Sequence, residues 1–203
     1  MAFARNCVLL LLIVYSSIYL SVFGAETSSG DVFEINGIVP DIVPRSPPSI
    51  CQVTYNQTDV NNPGEEKAVT DVLTQPDVLW GGSNDSLYTL VMIDPDAPSR
   101  ENSTLSQIIH WLVVNIQGNN LDSGETIYDY LAPSPPQGTG LHRYIIFIYN
   151  QPSDLDVNQT SLITSPENPR ALFSISRFTE RYNLSDPIAG NFFVAQAIYG
   201  GGN

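Results

Sequence analysis

Two histidines, His110 and His142, are the only side chains of this sequence that ordinarily titrate just below neutral pH. His110 lies inside the apolar run Ile108-Ile-His-Trp-Leu-Val-Val114, and His142 sits near the start of Leu141-His-Arg-Tyr-Ile-Ile-Phe147. A lone buried histidine is usually a satisfied core residue. Two that each adjoin a rigid Pro/Gly segment point to a shared site, able to hold an anion or to carry a proton. Asp94 and Asp96 flank Pro95 at the end of another apolar run. There a carboxylate can orient a histidine or accept from an ammonium group, or it can simply cap the turn. Gly138 and Gly140, just before His142, let backbone amides approach a ligand with no Cβ in the way; an ordinary turn would look the same.

Other chemistries fit less well. Ser134, His142 and Asp94 make a hydrolytic triad only on paper, since no Gly-x-Ser-x-Gly elbow exists and Ser134 stands between two prolines. Asp94 and Asp96 can be paired as glycosidase carboxylates, but sequence supplies neither their separation nor a raised pKa. The histidines and a carboxylate show no compact metal-ligand spacing. The expectation is a non-enzyme without a cofactor.

Several elements must position these residues. Ser86–Ile93 is rich in strand formers and stops at Asp94-Pro-Asp-Ala-Pro98. Ile108–Ile116 and Tyr144–Tyr149 are apolar on both faces, as in central strands covered from each side. Period-two alternation puts His142 and Tyr144 on one face and Arg143 on the other. Ala132-Pro-Ser-Pro-Pro-Gln-Gly-Thr-Gly140 is a loop stiffened by proline and then freed by glycine. A strand near 50–55, a helix over Ser174–Tyr182 with Ser174 as N-cap, and a last strand over Phe192–Ile198 complete the expected elements. Residues 26–48 read as irregular because of Pro40, Pro44, Pro47 and Pro48, and Asn56–Lys67 reads as a polar connection.

With 203 residues, the chain suits one domain with a real core. Lys and Arg number 8 against 21 acids, for a net charge of −13, which argues against nucleic acid and against electrostatic docking on anionic lipid. Residues 1–24 read as a secretory signal, with Arg5 ahead of an apolar stretch and Val22 and Gly24 before the cut; residues 25–203 form the mature domain. Arg5 is the only charge removed, so the mature protein carries −14 rather than −13. No second apolar run is long enough to span a membrane. Secretion removes Cys7 and leaves Cys51 alone, read as a buried thiol. Sequons begin at Asn56, Asn84, Asn102, Asn158 and Asn183, each in a polar or turn-rich stretch suited to glycosylation outside the cell.

Asp94-Pro-Asp-Ala-Pro-Ser-Arg100, then His110-Trp-Leu-Val-Val-Asn-Ile-Gln-Gly118, then Tyr130 followed by Pro135-Pro-Gln-Gly-Thr-Gly-Leu-His-Arg-Tyr144, resemble three signature blocks of the phosphatidylethanolamine-binding protein family, in order. Tyr182–Gln196 resembles its distal part. The resemblance implies a mostly β fold, with a central β-sheet packed on a smaller sheet and one or two peripheral helices. It implies a small surface pocket for a phosphate or similar anion, built by Asp94, His110, Pro135, His142 and Tyr144 and more loosely by Asp96. It also implies a cis peptide between Ala97 and Pro98.

Three features depart from the family pattern. Ala132 and Ser134 stand where the family usually has glycines, so a tighter pocket floor is expected. Ile108 replaces an aromatic residue, and Tyr199–Asn203 falls where the family continues into a C-terminal helix, so a more open mouth is expected. The implied function is a secreted protein that binds a phosphorylated headgroup such as phosphorylethanolamine, or another small anion, and modulates an extracellular protein partner. The competing reading is an inhibitor or signalling protein that acts through its outer surface, with a vestigial pocket.

Overall fold

The computed structural model describes residues 29–56, 58–162 and 165–197. Residues 1–24, read from the sequence as a secretory signal, and residues 198–203 lie outside them. In chain order the strands are β1 (Gln52–Tyr55), β2 (Thr58–Val60), β3 (Glu65–Glu66), β4 (Asp77–Leu79), β5 (Leu87–Asp94), β6 (Ile108–Gln117), β7 (Glu125–Tyr128), β8 (His142–Gln151) and β9 (Ala189–Ala195). Two short helices, α1 (Ser29–Ile35) and α2 (Ile175–Arg181), accompany them.

The strands form a six-stranded sheet in the order β3-β9-β8-β5-β6-β7 and a three-stranded sheet in the order β2-β1-β4. Every pairing is antiparallel except β3 with β9. β5 and β8 occupy the middle of the large sheet, and their side chains alternate between two separate cores. Val91, Ile93, Ile145, Phe147 and Tyr149 face the helices, meeting Phe33 of α1 and Ile175 and Phe178 of α2. Leu90, Met92, Tyr144, Ile146 and Ile148 face the small sheet, meeting Val53, Tyr55, Val60, Val78 and Trp80. Burial of each such side chain contributes about 1.5–3 kcal/mol, which is why these runs carry almost no polar residue. Ser174 caps α2 as expected, its hydroxyl accepting from the Arg177 N–H at 3.3 Å.

Three expectations need correction. Residues 26–48 are not wholly irregular, because α1 occupies Ser29–Ile35. The prolines begin only at Pro40, after the helix has ended, and the fully buried Phe33 anchors it to the core. The last strand is Ala189–Ala195, not Phe192–Ile198. It starts earlier because Gly190 pairs with Phe147 of β8 and also bridges to Ile50, in the segment just before β1. Its carbonyl accepts from Cys51 N at 3.1 Å, its N–H donates to Ser49 at 3.0 Å, and a Cβ there would sit 2.8 Å from Pro47 Cγ. The polar connection Asn56–Lys67 contains β2 and β3, strands too short and too polar to show a period.

Candidate functional site

The strand register gathers the singled-out residues at one end of the large sheet. Asp94, the last residue of β5, pairs with Ile108 at the start of β6, and Ile93 pairs with Ile145 of β8. The C-terminal end of β5 thus meets the N-terminal ends of β6 and β8, and His110 and His142 lie there by construction. Ala97–Pro98 is cis.

Asp94 Oδ2 lies 2.8 Å from His142 Nδ1, and its other oxygen accepts from the Asp96 N–H at 2.7 Å. His142 is 1% exposed. Its second ring nitrogen, Nε2, lies 2.9 Å from Thr139 Oγ1. That hydroxyl has one hydrogen, and it lies 2.7 Å from the Pro136 carbonyl, an oxygen that can only accept. The hydrogen therefore goes to Pro136, and the Nε2 contact needs a proton on His142. The Asp94 contact needs one on Nδ1, so the set is satisfied by an imidazolium. The pKa of His142 is raised in keeping with this: burial alone would lower it, but the hydrogen bond and charge of Asp94, the charge of Asp96 and the Pro98 carbonyl outweigh burial.

His110 is held differently. Its Nδ1 donates to the Leu131 carbonyl at 2.6 Å, so in the neutral ring Nε2 carries only a lone pair. Burial lowers its pKa despite the Leu131 carbonyl and the charge of Asp94, with Arg170 and His142 adding to the fall. Arg170 grips the same strand from outside, donating to the Ile109 and His110 carbonyls at 3.1 and 3.3 Å. Tyr144 is fully buried, edge-on to the His110 ring at 5.1 Å and stacked on Phe193 at 5.3 Å. Its hydroxyl pKa is raised by burial and by Asp94 and Asp96.

The remaining candidates divide. Asp96 is committed elsewhere: its carboxylate accepts from Arg143 N, Nε and Nη2 at 2.9, 2.9 and 2.6 Å. Arg143 also donates to the Asn36 and Gly37 carbonyls at 2.7 and 2.9 Å, tying the end of α1 to the turn after β5. Pro135 is buried, Ala132 half-buried and Ser134 exposed. Gly138 and Gly140 adopt φ of 81° and 76°, a region that disfavours a side chain. A groove of about 590 Å³ runs between Ser99–Glu101 and Gly138–Leu141; Thr139 lines it and His142 does not. Asn56, Asn84, Asn102, Asn158 and Asn183 are all exposed, and Asn102 bridges to Ser99 at the rim of that groove. Cys51 is fully buried and unbridged, and burial pushes its thiol up to about 12. Thr139 and the Leu131 carbonyl escape sequence reasoning, because a hydroxyl between glycines and a loop carbonyl leave no periodic signal.

A mostly β fold of two sheets with few helices is the architecture implied by the signature blocks. The chain belongs to the phosphatidylethanolamine-binding protein family, whose model matches residues 56–193. It is 34% identical over 159 residues to the Drosophila melanogaster protein named "Putative odorant-binding protein A5", covering 78% of this chain and 76% of that one. It is 35% identical over 169 residues to the 26 kDa secreted antigen of Toxocara canis, covering 83% of this chain but only 64% of the antigen. Among solved structures, it resembles carboxypeptidase Y inhibitor, crystallised with its cognate proteinase, at a TM-score of 0.70 and 23% identity over 85% of this chain and 98% of the inhibitor. It also resembles the phosphatidylethanolamine-binding protein of Plasmodium vivax, at 0.65 and 19% identity over 83% and 97%. At those identities the two structures share the fold. Among the described residues no helix is long and apolar enough to cross a membrane, and no cluster of three or more metal-binding side chains occurs.

Proposed function

We propose that this protein is a secreted, glycosylated binding protein whose ligand is a small phosphate ester, of the phosphorylethanolamine type, held between His110 and His142. The observation that carries the reading is the buried Asp94–His142 pair at 2.8 Å, which keeps a cation at a site otherwise closed to charge. His110 supplies the second arm. Because its Nδ1 is spent on Leu131, it can donate to an anion from Nε2 only after taking up a proton. Pro135 and Tyr144 wall the site, Ala132 and Ser134 border it, and Asp96 shapes it through Arg143 rather than by touching ligand. Extracellular placement is supported by the signal-like residues 1–24, the exposed sequons and the likeness to a secreted antigen. Modulation of an extracellular protein partner is part of the same reading.

Titration calorimetry with glycerophosphoethanolamine, a phosphodiester, tests this. A phosphomonoester changes charge near pH 6 and would blur the result, whereas the diester stays monoanionic. Binding should be tightest in mild acid, weaken as pH rises, and take up about one proton as His110 charges. His142→Asn should lose about 1.5–3 kcal/mol of affinity at pH 6, the worth of a charged hydrogen bond, and should also lower the melting temperature, because it leaves the buried Asp94 carboxylate without its partner. Absent or pH-independent binding overturns the reading.

A further inference from the structure

We infer that Thr139 is an internal competitor for the anion seat, its hydroxyl occupying the His142 Nε2–H that an incoming anion must take, and that it thereby selects anions over neutral ligands. The inference rests on the histidine-site reading above and adds the residue that sets what the site admits.

The hydrogen-bond inventory carries it. An imidazolium has two N–H groups; at His142 one goes to Asp94 at 2.8 Å and the other to Thr139 Oγ1 at 2.9 Å. Thr139 spends its single hydrogen on Pro136 at 2.7 Å, so it can offer a ligand no proton while that bond lasts. An anion cannot therefore bridge onto Thr139 and must displace it. The hydroxyl is a neutral acceptor, and charge-assisted bonds are roughly twice as strong as neutral ones. A phosphate oxygen gains from the exchange. A carbonyl, ether or alcohol oxygen merely replaces one neutral acceptor with another and gains nothing.

The surroundings permit the displacement. Nothing lies within 4 Å of the Cβ positions of Gly138 and Gly140, and both glycines are exposed, so the space on either side of Thr139 in the turn is open. The groove of about 590 Å³ beside Ser99–Glu101 gives the side chain room to move. The other groups facing His142 are fixed. Asp94 ends β5, the Pro98 carbonyl is backbone of the turn that follows, Asp96 is locked on Arg143, His110 hangs from Leu131 and Tyr144 is packed on Phe193. Of the side chains around the ring, Thr139 is the one that can yield.

The test compares wild type, Thr139→Val and Thr139→Ser by calorimetry with glycerophosphoethanolamine at pH 6, with trimethyl phosphate as a neutral probe, and follows the His142 ring by NMR without ligand. Thr139→Val should bind the diester about tenfold tighter, the size of one modest hydrogen bond no longer broken. It should also begin to bind trimethyl phosphate and should show a lower His142 pKa. Thr139→Ser keeps the hydroxyl and should match wild type in all three. If wild type binds the diester and Thr139→Val binds it equally or more weakly, the competitor role is wrong while the histidine site stands. If none of the three proteins binds the diester, both fall.

Discussion

Asp94 and His142 are 48 positions apart in the chain and 2.8 Å apart in the fold, both almost wholly removed from water. The raised pKa of His142 fixes the sign of their contribution. The stabilisation is complete below the ordinary histidine value of 6.5 and is lost as pH rises through the raised folded value. His110 acts in the opposite sense, since its pKa is lowered. Its contribution is complete above 6.5 and is lost as pH falls through the lowered folded value. Asp94→Asn should therefore destabilise the domain more at pH 6 than at pH 9, by about 1–3 kcal/mol in urea denaturation. An equal loss at both pH values would show that the pair does not carry charge.

Arg143 and Asp96 form a second buried pair on the opposite face of β8, with three donors on one carboxylate. Arg143→Met should cost about 3–5 kcal/mol, because it strands a buried carboxylate. The double variant Asp96→Leu/Arg143→Met should recover part of that loss. Chemical denaturation of the three variants supplies the coupling energy; strict additivity would mean the two residues do not depend on each other.

Cys51 is fully buried and its thiol is pushed up to about 12, so the reactive thiolate is scarce at pH 8. Ellman's reagent should leave it untouched in the native protein and titrate it fully in guanidinium. Rapid labelling under native conditions would contradict the packing of the Ser49–Cys51 segment against β9.

The long strands were legible because burial on both faces forces uninterrupted apolar runs, as in Leu90-Val-Met-Ile93 and Tyr144–Tyr149, and because Pro95 and Pro98 end one of them abruptly. The short strands were not. Thr58-Asp-Val60, Glu65-Glu66 and Asp77-Val-Leu79 owe their extended state to the strands they pair with, information their own residues do not hold. α1 was hidden for a related reason, since its seven residues are stabilised through Phe33 against Phe192, ring to ring at 5.3 Å, across most of the chain. At the site, Asp94, His110 and His142 stood out because charge inside an apolar run is costly. Asp96 was visible too, but its commitment to Arg143 is a tertiary fact. Thr139 lies in a turn where almost any small polar residue would read the same.

The two-sided burial of β5 and β8 also has a cost outside the folded state. Tyr144-Ile-Ile-Phe-Ile-Tyr149 has no charge and no proline, the composition of a segment that pairs with copies of itself when exposed on a nascent or partly unfolded chain. Arg143 stands at its leading edge, and Asp94 and Pro95 close the β5 run beside it. Charges and prolines that flank such a run oppose self-association during synthesis and refolding, a task separate from anything they do in the native molecule. Arg143→Met should accordingly lower refolding yield in a concentration-dependent way, beyond what its loss of stability explains.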